Sequence, residues 1–127
     1  MHETPASKPV VWIASSKRDL KTFPDEVQRG FGHKLWSAQI GEKHPEVKVL
    51  KGFGDASVIE IIEDWQGNTY RAVYTVHFPE FVYVLHAFQK KSRRGAQTPK
   101  TDIDLVKKRL RDAKREYEST KEAKANG

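Results

Sequence analysis

The chain of 127 residues contains no cysteine. Disulfides and thiolate chemistry are thereby excluded, and the composition fits a reducing compartment such as the cytoplasm. No apolar run approaches the roughly 20 residues that span a bilayer, so no membrane association is expected. The opening stretch, MHETPASKPV, has no apolar core and does not read as a secretory signal. There is no GxxxxGK[ST] phosphate loop and no GxGxxG fingerprint. His2, His33, His44, His77 and His86 show neither HxxH nor HExxH spacing, so no metal site and no cofactor is expected. The one tight glycine pair, in KGFGD, is flanked like a strand end and reads as a turn or bulge.

What is present is a chain 37% hydrophobic and 31% charged, the profile of one soluble globular domain with a real core. The formal net charge of +6 is unevenly placed. Residues 1–85 carry 10 Lys/Arg against 11 Asp/Glu, residues 86–115 carry 11 against 3, and residues 116–127 carry 2 against 3. A local basic field attracts polyanions, with nucleic acid foremost. The plainer reading is a solvated helix face beside a basic loop.

Residues 1–9, with two prolines, read as a flexible N-terminus, residues 10–118 as the domain, and residues 119–127 as a flexible tail. Val10 to Ala14 (VVWIA) suits one strand. Ser15 and Ser16 offer N-caps for a short helix to about Thr22. Pro24, followed by Asp25 and Glu26, starts a second helix to about Ile40, with Gly41 as its C-cap. Leu20, Phe23, Val27, Phe31 and Leu35 form one apolar stripe along this pair. Gly30 and Gly32 weaken the helix, and close packing on a sheet would account for them.

Strands are expected over Val47–Phe53, Val58–Asp64, Thr69–Phe78 and Phe81–Phe88, with turns at Gln66-Gly67-Asn68 and Pro79-Glu80. Thr98 and Pro99 read as N-cap and first residue of a last helix. Ile103, Val106, Leu110, Ala113 and Tyr117 make its apolar seam, with Lys107, Lys108, Arg111, Lys114 and Arg115 mostly off it. Strand, two helices, a meander of three or four strands and a helix make an α+β fold with a small, mainly antiparallel sheet.

Arg71 stands in mid-strand, on the face of Val73, Thr75 and His77. It calls for a phosphate, a solvated face, or a cross-strand partner such as Glu60 or Glu63. His86, Phe88 and Lys90 share a face of the next strand, and Lys90, Lys91, Arg93 and Arg94 emerge where that strand runs toward a helix N-terminus. Fixed cations beside free helix N–H groups suit an anion. His86 has an intrinsic pKa suited to proton transfer, with a core role as the alternative. Phe88 and Tyr74 could stack on a base or simply fill the core.

The runs TYRAVYTV, VYVLHAFQKKSRRGAQTP and DIDLVKKRLRDA resemble the RelE/HigB-type toxins of bacterial type II toxin–antitoxin modules, in their phage-derived, HigB-like branch. The resemblance covers roughly Val10 to Ala113. It implies a RelE-like fold and a metal-independent mRNA interferase that cleaves translated messenger on the ribosome. The RNA 2′-OH would attack the adjacent phosphate, with Arg71 clamping that phosphate and Lys90 or Lys91 stabilising charge or moving a proton. His86 is a weaker candidate acid or base. Lys51, Arg93, Arg94, Lys107 and Lys108 would hold RNA phosphates. The implied partners are a helix-turn-helix antitoxin encoded nearby, the ribosome and its messenger, and operator DNA only indirectly through the antitoxin. A ParE-like gyrase inhibitor on the same fold and a non-catalytic RNA-binding module are the alternatives.

Overall fold

The computed structural model describes residues 6–90 and 97–126. In chain order these form β1 (Val10–Trp12), α1 (Ser16–Lys21), α2 (Asp25–Gln39), β2 (Lys48–Val49), β3 (Val58–Trp65), β4 (Asn68–Thr75), β5 (Val82–Lys90) and α3 (Lys100–Asn126). The five strands form one sheet in the order β1-β5-β4-β3-β2; β1 runs parallel to β5 and the other pairs are antiparallel. This is the α+β, RelE-like architecture expected from the sequence. Among the described residues, no helix is long and apolar enough to cross a membrane.

Each sheet face carries its own core, because strand side chains alternate. On one face Val27, Phe31 and Leu35 of α2 pack on Ile59, Ile61, Tyr70, Ala72 and Tyr74. On the other, Val106, Ala113 and Tyr117 of α3 pack on Val58, Val73, Tyr83 and Leu85. Pro24 occupies the N-cap of α2, and Gly41, with φ +81°, follows its C-cap residue Ile40, donating its N–H to Ala38 O. A Cβ at Gly30 would lie 1.7 Å from Glu63 Oε1, so the Glu63 side chain would have to move. The Glu63 carboxylate uses that space to meet the buried Lys34 ammonium.

The β3–β4 turn is the two-residue Gln66-Gly67, with φ +49° and +80°, and Asn68 already pairs with Trp65. Two consecutive positive φ values match the right-handed twist of the flanking strands. Between β4 and β5 the register shifts: Val73 faces His86, whereas Tyr74 faces Val84. Leu85 is thus an extra residue, a β-bulge. Leu85 and His86 consequently both point toward α3, and the residues beyond them, Phe88 and Lys90, keep to that side.

Three sequence expectations are corrected. The strand expected over Val47–Phe53 shrinks to Lys48–Val49, since Gly52 and Gly54 adopt φ of +91° and +61° and turn the chain away. Helix α3 runs through the stretch read as a tail from Ser119 as far as Asn126. Glu118 to Ala125 is rich in good helix formers, and Lys121 sits 5.3 Å above the Tyr117 ring. Of the stretch read as flexible at 1–9, residues 1–5 lie outside the described residues, and Lys8 is held to Gln39 by two hydrogen bonds of 2.8 Å each.

Candidate functional site

The α3-facing side of β3, β4 and β5 carries an unusual load of buried charge. Arg71 and Glu60 both have no exposed surface, and Arg71 Nη1 lies 3.2 Å from Glu60 Oε1. In the register, Glu60 faces Val73 and Arg71 faces Ile62, so the pair is diagonal across two neighbouring strands. Thr98 completes the group: its hydroxyl donates to Glu60 Oε2 at 2.7 Å and accepts from Arg71 Nη1 at 3.2 Å. The sequence assigned Thr98 to capping α3. Its side chain instead binds the approach to α3 onto the sheet, and the first turn closes through Ile103 N–H to Pro99 O.

Lys90 lies at the end of β5, 8% exposed, and its ammonium donates to Gln97 O. Burial lowers its pKa below the ordinary lysine value of 10.5, and the nearby Arg71 charge adds to the shift, partly offset by Glu60 and Asp102. The bulge brings His86 into a second cluster. His86 Nε2 is 2.8 Å from Asp102 Oδ1 in the first turn of α3, and Arg109 Nη1 is 3.3 Å from Nδ1. A guanidinium only donates, so Nδ1 accepts and Nε2 carries the hydrogen given to Asp102. Arg109 also donates to Leu85 O at 3.0 Å and to Ser15 Oγ at 3.1 Å. One arginine thus joins α3, the bulge and the start of α1.

Beside the first cluster a groove of about 370 Å³ opens between the β2 segment and the approach to α3. Lys48 and Lys51 line one wall, and Gln97, Thr98 and Ile103 line the other. Both lysines are exposed. Thr98 borders the groove on one side and the Arg71–Glu60 pair on the other, and Lys90 stands behind Gln97. Two exposed cations therefore line the groove, with a buried lysine of lowered pKa behind Gln97. Such a set can attract a phosphate, offset developing negative charge and accept or donate a proton.

The expected site residues fall into three groups. Lys51 lines the groove, whereas Lys90 lies behind Gln97 and Arg71 is sealed behind Thr98, where it does not clamp a phosphate. His86 has both ring nitrogens engaged, and its ring stacks on Phe88 at 4.6 Å. Lys107 and Lys108 are exposed on α3, away from the groove. Lys91, Arg93 and Arg94 lie outside the described residues. Sequence reasoning passed over Lys48, Asp102 and Arg109, and gave Thr98 another task. Arg109 did leave a signal: it stands three residues after Val106 and four before Ala113, a cation on the apolar seam. Among the described residues no three His, Cys, Asp or Glu side chains gather as a metal site would.

Fold and site together define a small α+β domain with a basic groove over buried ionic clusters. The family model of the Phage derived protein Gp49-like family (DUF891) matches residues 18–111. The chain belongs to that family. Comparison with curated proteins and with solved structures finds no match.

Proposed function

We propose that the chain is the toxin of a type II toxin–antitoxin pair and acts as a ribosome-dependent mRNA endonuclease. The observation that carries this reading is Lys90, a buried lysine of lowered pKa behind a groove lined by exposed Lys48 and Lys51. Membership of a phage-derived family and the resemblance to RelE/HigB-type toxins support it.

In the proposed reaction, messenger enters the groove with its phosphates against Lys48 and Lys51. Lys90, in the fraction that has lost its proton, takes the proton from a 2′-OH, and the 2′-oxygen attacks the adjacent phosphorus. The P–O5′ bond breaks, the departing oxygen takes up a proton from water, and the products are a 2′,3′-cyclic phosphate and a 5′-OH. Arg71 acts through its charge, which favours the neutral Lys90 amine, and not by touching the substrate. His86 and Asp102 hold α3 in place. A helix-turn-helix antitoxin and the ribosome are the proposed partners, and the cytoplasm the proposed location.

The test is a map of RNA 5′ ends after induced expression. The expected result is growth arrest with new 5′-OH ends inside translated codons, both lost in Lys90→Met. Arrest with intact messenger and damaged DNA would replace this reading with gyrase inhibition. RNA binding without new ends would leave a non-catalytic binding module.

A further inference from the structure

A second cavity, of about 320 Å³, lies on the opposite face of the sheet, beside the C-terminal end of α2. Tyr74 of β4, its cross-strand partner Ile59, and Val76 supply apolar lining, with Ala38 of α2 beside them. Lys8 and Lys43 border it, with Glu42 as the one carboxylate among the described residues. The Lys8 backbone is fixed there by the paired hydrogen bonds to Gln39 described above. The volume is at the low end of the range of about 300–1,000 Å³ typical of small-molecule sites.

Tyr74 is what sets this cavity apart from a packing gap. The residue is 1% exposed, yet among the described residues its hydroxyl has no hydrogen-bond partner. The hydroxyl is not sealed off completely, and the cavity is the space that Tyr74 borders. Burial pushes the phenol up to about 12, so at neutral pH it remains an O–H able to donate. A donor bordering the cavity, an apolar wall and two cations against one carboxylate have a common complement.

We propose that this cavity binds a small organic acid. Its apolar body lies against Ile59, Val76 and the Tyr74 ring, an acceptor atom takes the Tyr74 hydroxyl, and its carboxylate meets Lys8 and Lys43. The proposal is independent of the nuclease reading and stands or falls without it.

The experiment titrates the full chain, ¹⁵N-labelled, with 4-acetylbenzoate, which has a ring, a ketone acceptor and a carboxylate. Acetophenone lacks the charge, and acetate lacks the ring. The expected result is saturable amide shifts at Gly41, Ser57, Ile59 and Val76 with 4-acetylbenzoate, and markedly weaker binding of both controls. Tyr74→Phe should weaken binding about tenfold, the loss of one hydrogen bond, and Lys43→Ala should weaken it as well. Tyr74→Phe should also melt no lower than the parent, because its hydroxyl has no partner to lose. The proposal is overturned by no saturable shift at millimolar probe, by equal binding in Tyr74→Phe, by acetate binding as well as the full probe, or by a clear fall in melting temperature in Tyr74→Phe.

Discussion

Glu60 and Arg71 form an ion pair with no exposed surface on either side, 3.2 Å apart and bridged by the Thr98 hydroxyl. Removing two charges from water is costly, and the cost is recovered only if the partners stay matched. The pair therefore ties the sheet to the approach of α3 and makes both structures depend on it.

Arg71→Met alone should destabilise the fold by about 3–5 kcal/mol, because it leaves Glu60 charged, buried and unmatched. Glu60→Leu combined with Arg71→Met should recover most of that loss. Urea unfolding of the two single variants and the double variant measures it. An Arg71 variant that loses activity must be checked for folding before its loss is read as catalytic.

Lys90 gives stability a specific pH dependence. The unfolded chain takes up this proton near 10.5, whereas the folded chain does so only at a lower pH. Between the two values the unfolded state holds more protons, so stability should rise with pH up to about 10.5. Below the folded value the full cost of the buried charge is carried. Lys90→Met should remove this part of the slope and be more stable at neutral pH. Thermal melts of both proteins from pH 7 to 10.5 decide it.

Arg109 contacts Leu85 O, His86 and Ser15 with one guanidinium. A lysine has a single ammonium and cannot span the three. Arg109→Lys should therefore recover little of the roughly 2–3 kcal/mol lost in Arg109→Ala. Amide exchange should quicken at the bulge and the first turn of α3 in both.

Gly30 and Gly32 sit two residues apart in one helix and should respond with opposite sign. At Gly32 nothing lies within 4 Å of an added Cβ, so Gly32→Ala should stabilise by about 1 kcal/mol. At Gly30 the added Cβ strikes the Glu63 carboxylate and displaces it from Lys34. Gly30→Ala should destabilise despite its better helix propensity. Chemical denaturation distinguishes the two outcomes.

Lys48→Glu with Lys51→Glu should leave the melting temperature nearly unchanged, since both side chains are solvated. RNA affinity should fall, and the slope of log affinity against log salt should become shallower by about 1–2. A fluorescence-anisotropy titration at several salt concentrations reads both.

The two cores were legible in the chain because their signals are periodic and local. The stripe from Leu20 to Leu35 and the seam from Ile103 to Tyr117 each follow the helical repeat, and both are packed on the sheet as expected. Gly67 marked its turn because positive φ is a property of the residue itself. Arg71 and Lys90 stood out as cations among apolar strand residues, and Thr98-Pro99 marked the start of the last helix to within one residue, though Thr98 does not cap it.

Tertiary structure alone decided what those residues do. Whether Arg71 meets a phosphate or Glu60 depends on the pairing of β3 with β4, which no local repeat encodes. The bulge at Leu85 moves His86 to the α3 side and so sets its contacts with Asp102 and Arg109. Thr98 satisfies a capping rule on paper, but a buried carboxylate without a partner costs more than an exposed helix end that water can serve, so its hydroxyl goes to Glu60. Composition and spacing determined the elements and their faces, because these follow from neighbours along the chain. The site was decided by register and burial, because a charge acquires its partner, and its pKa, only from what the fold brings beside it.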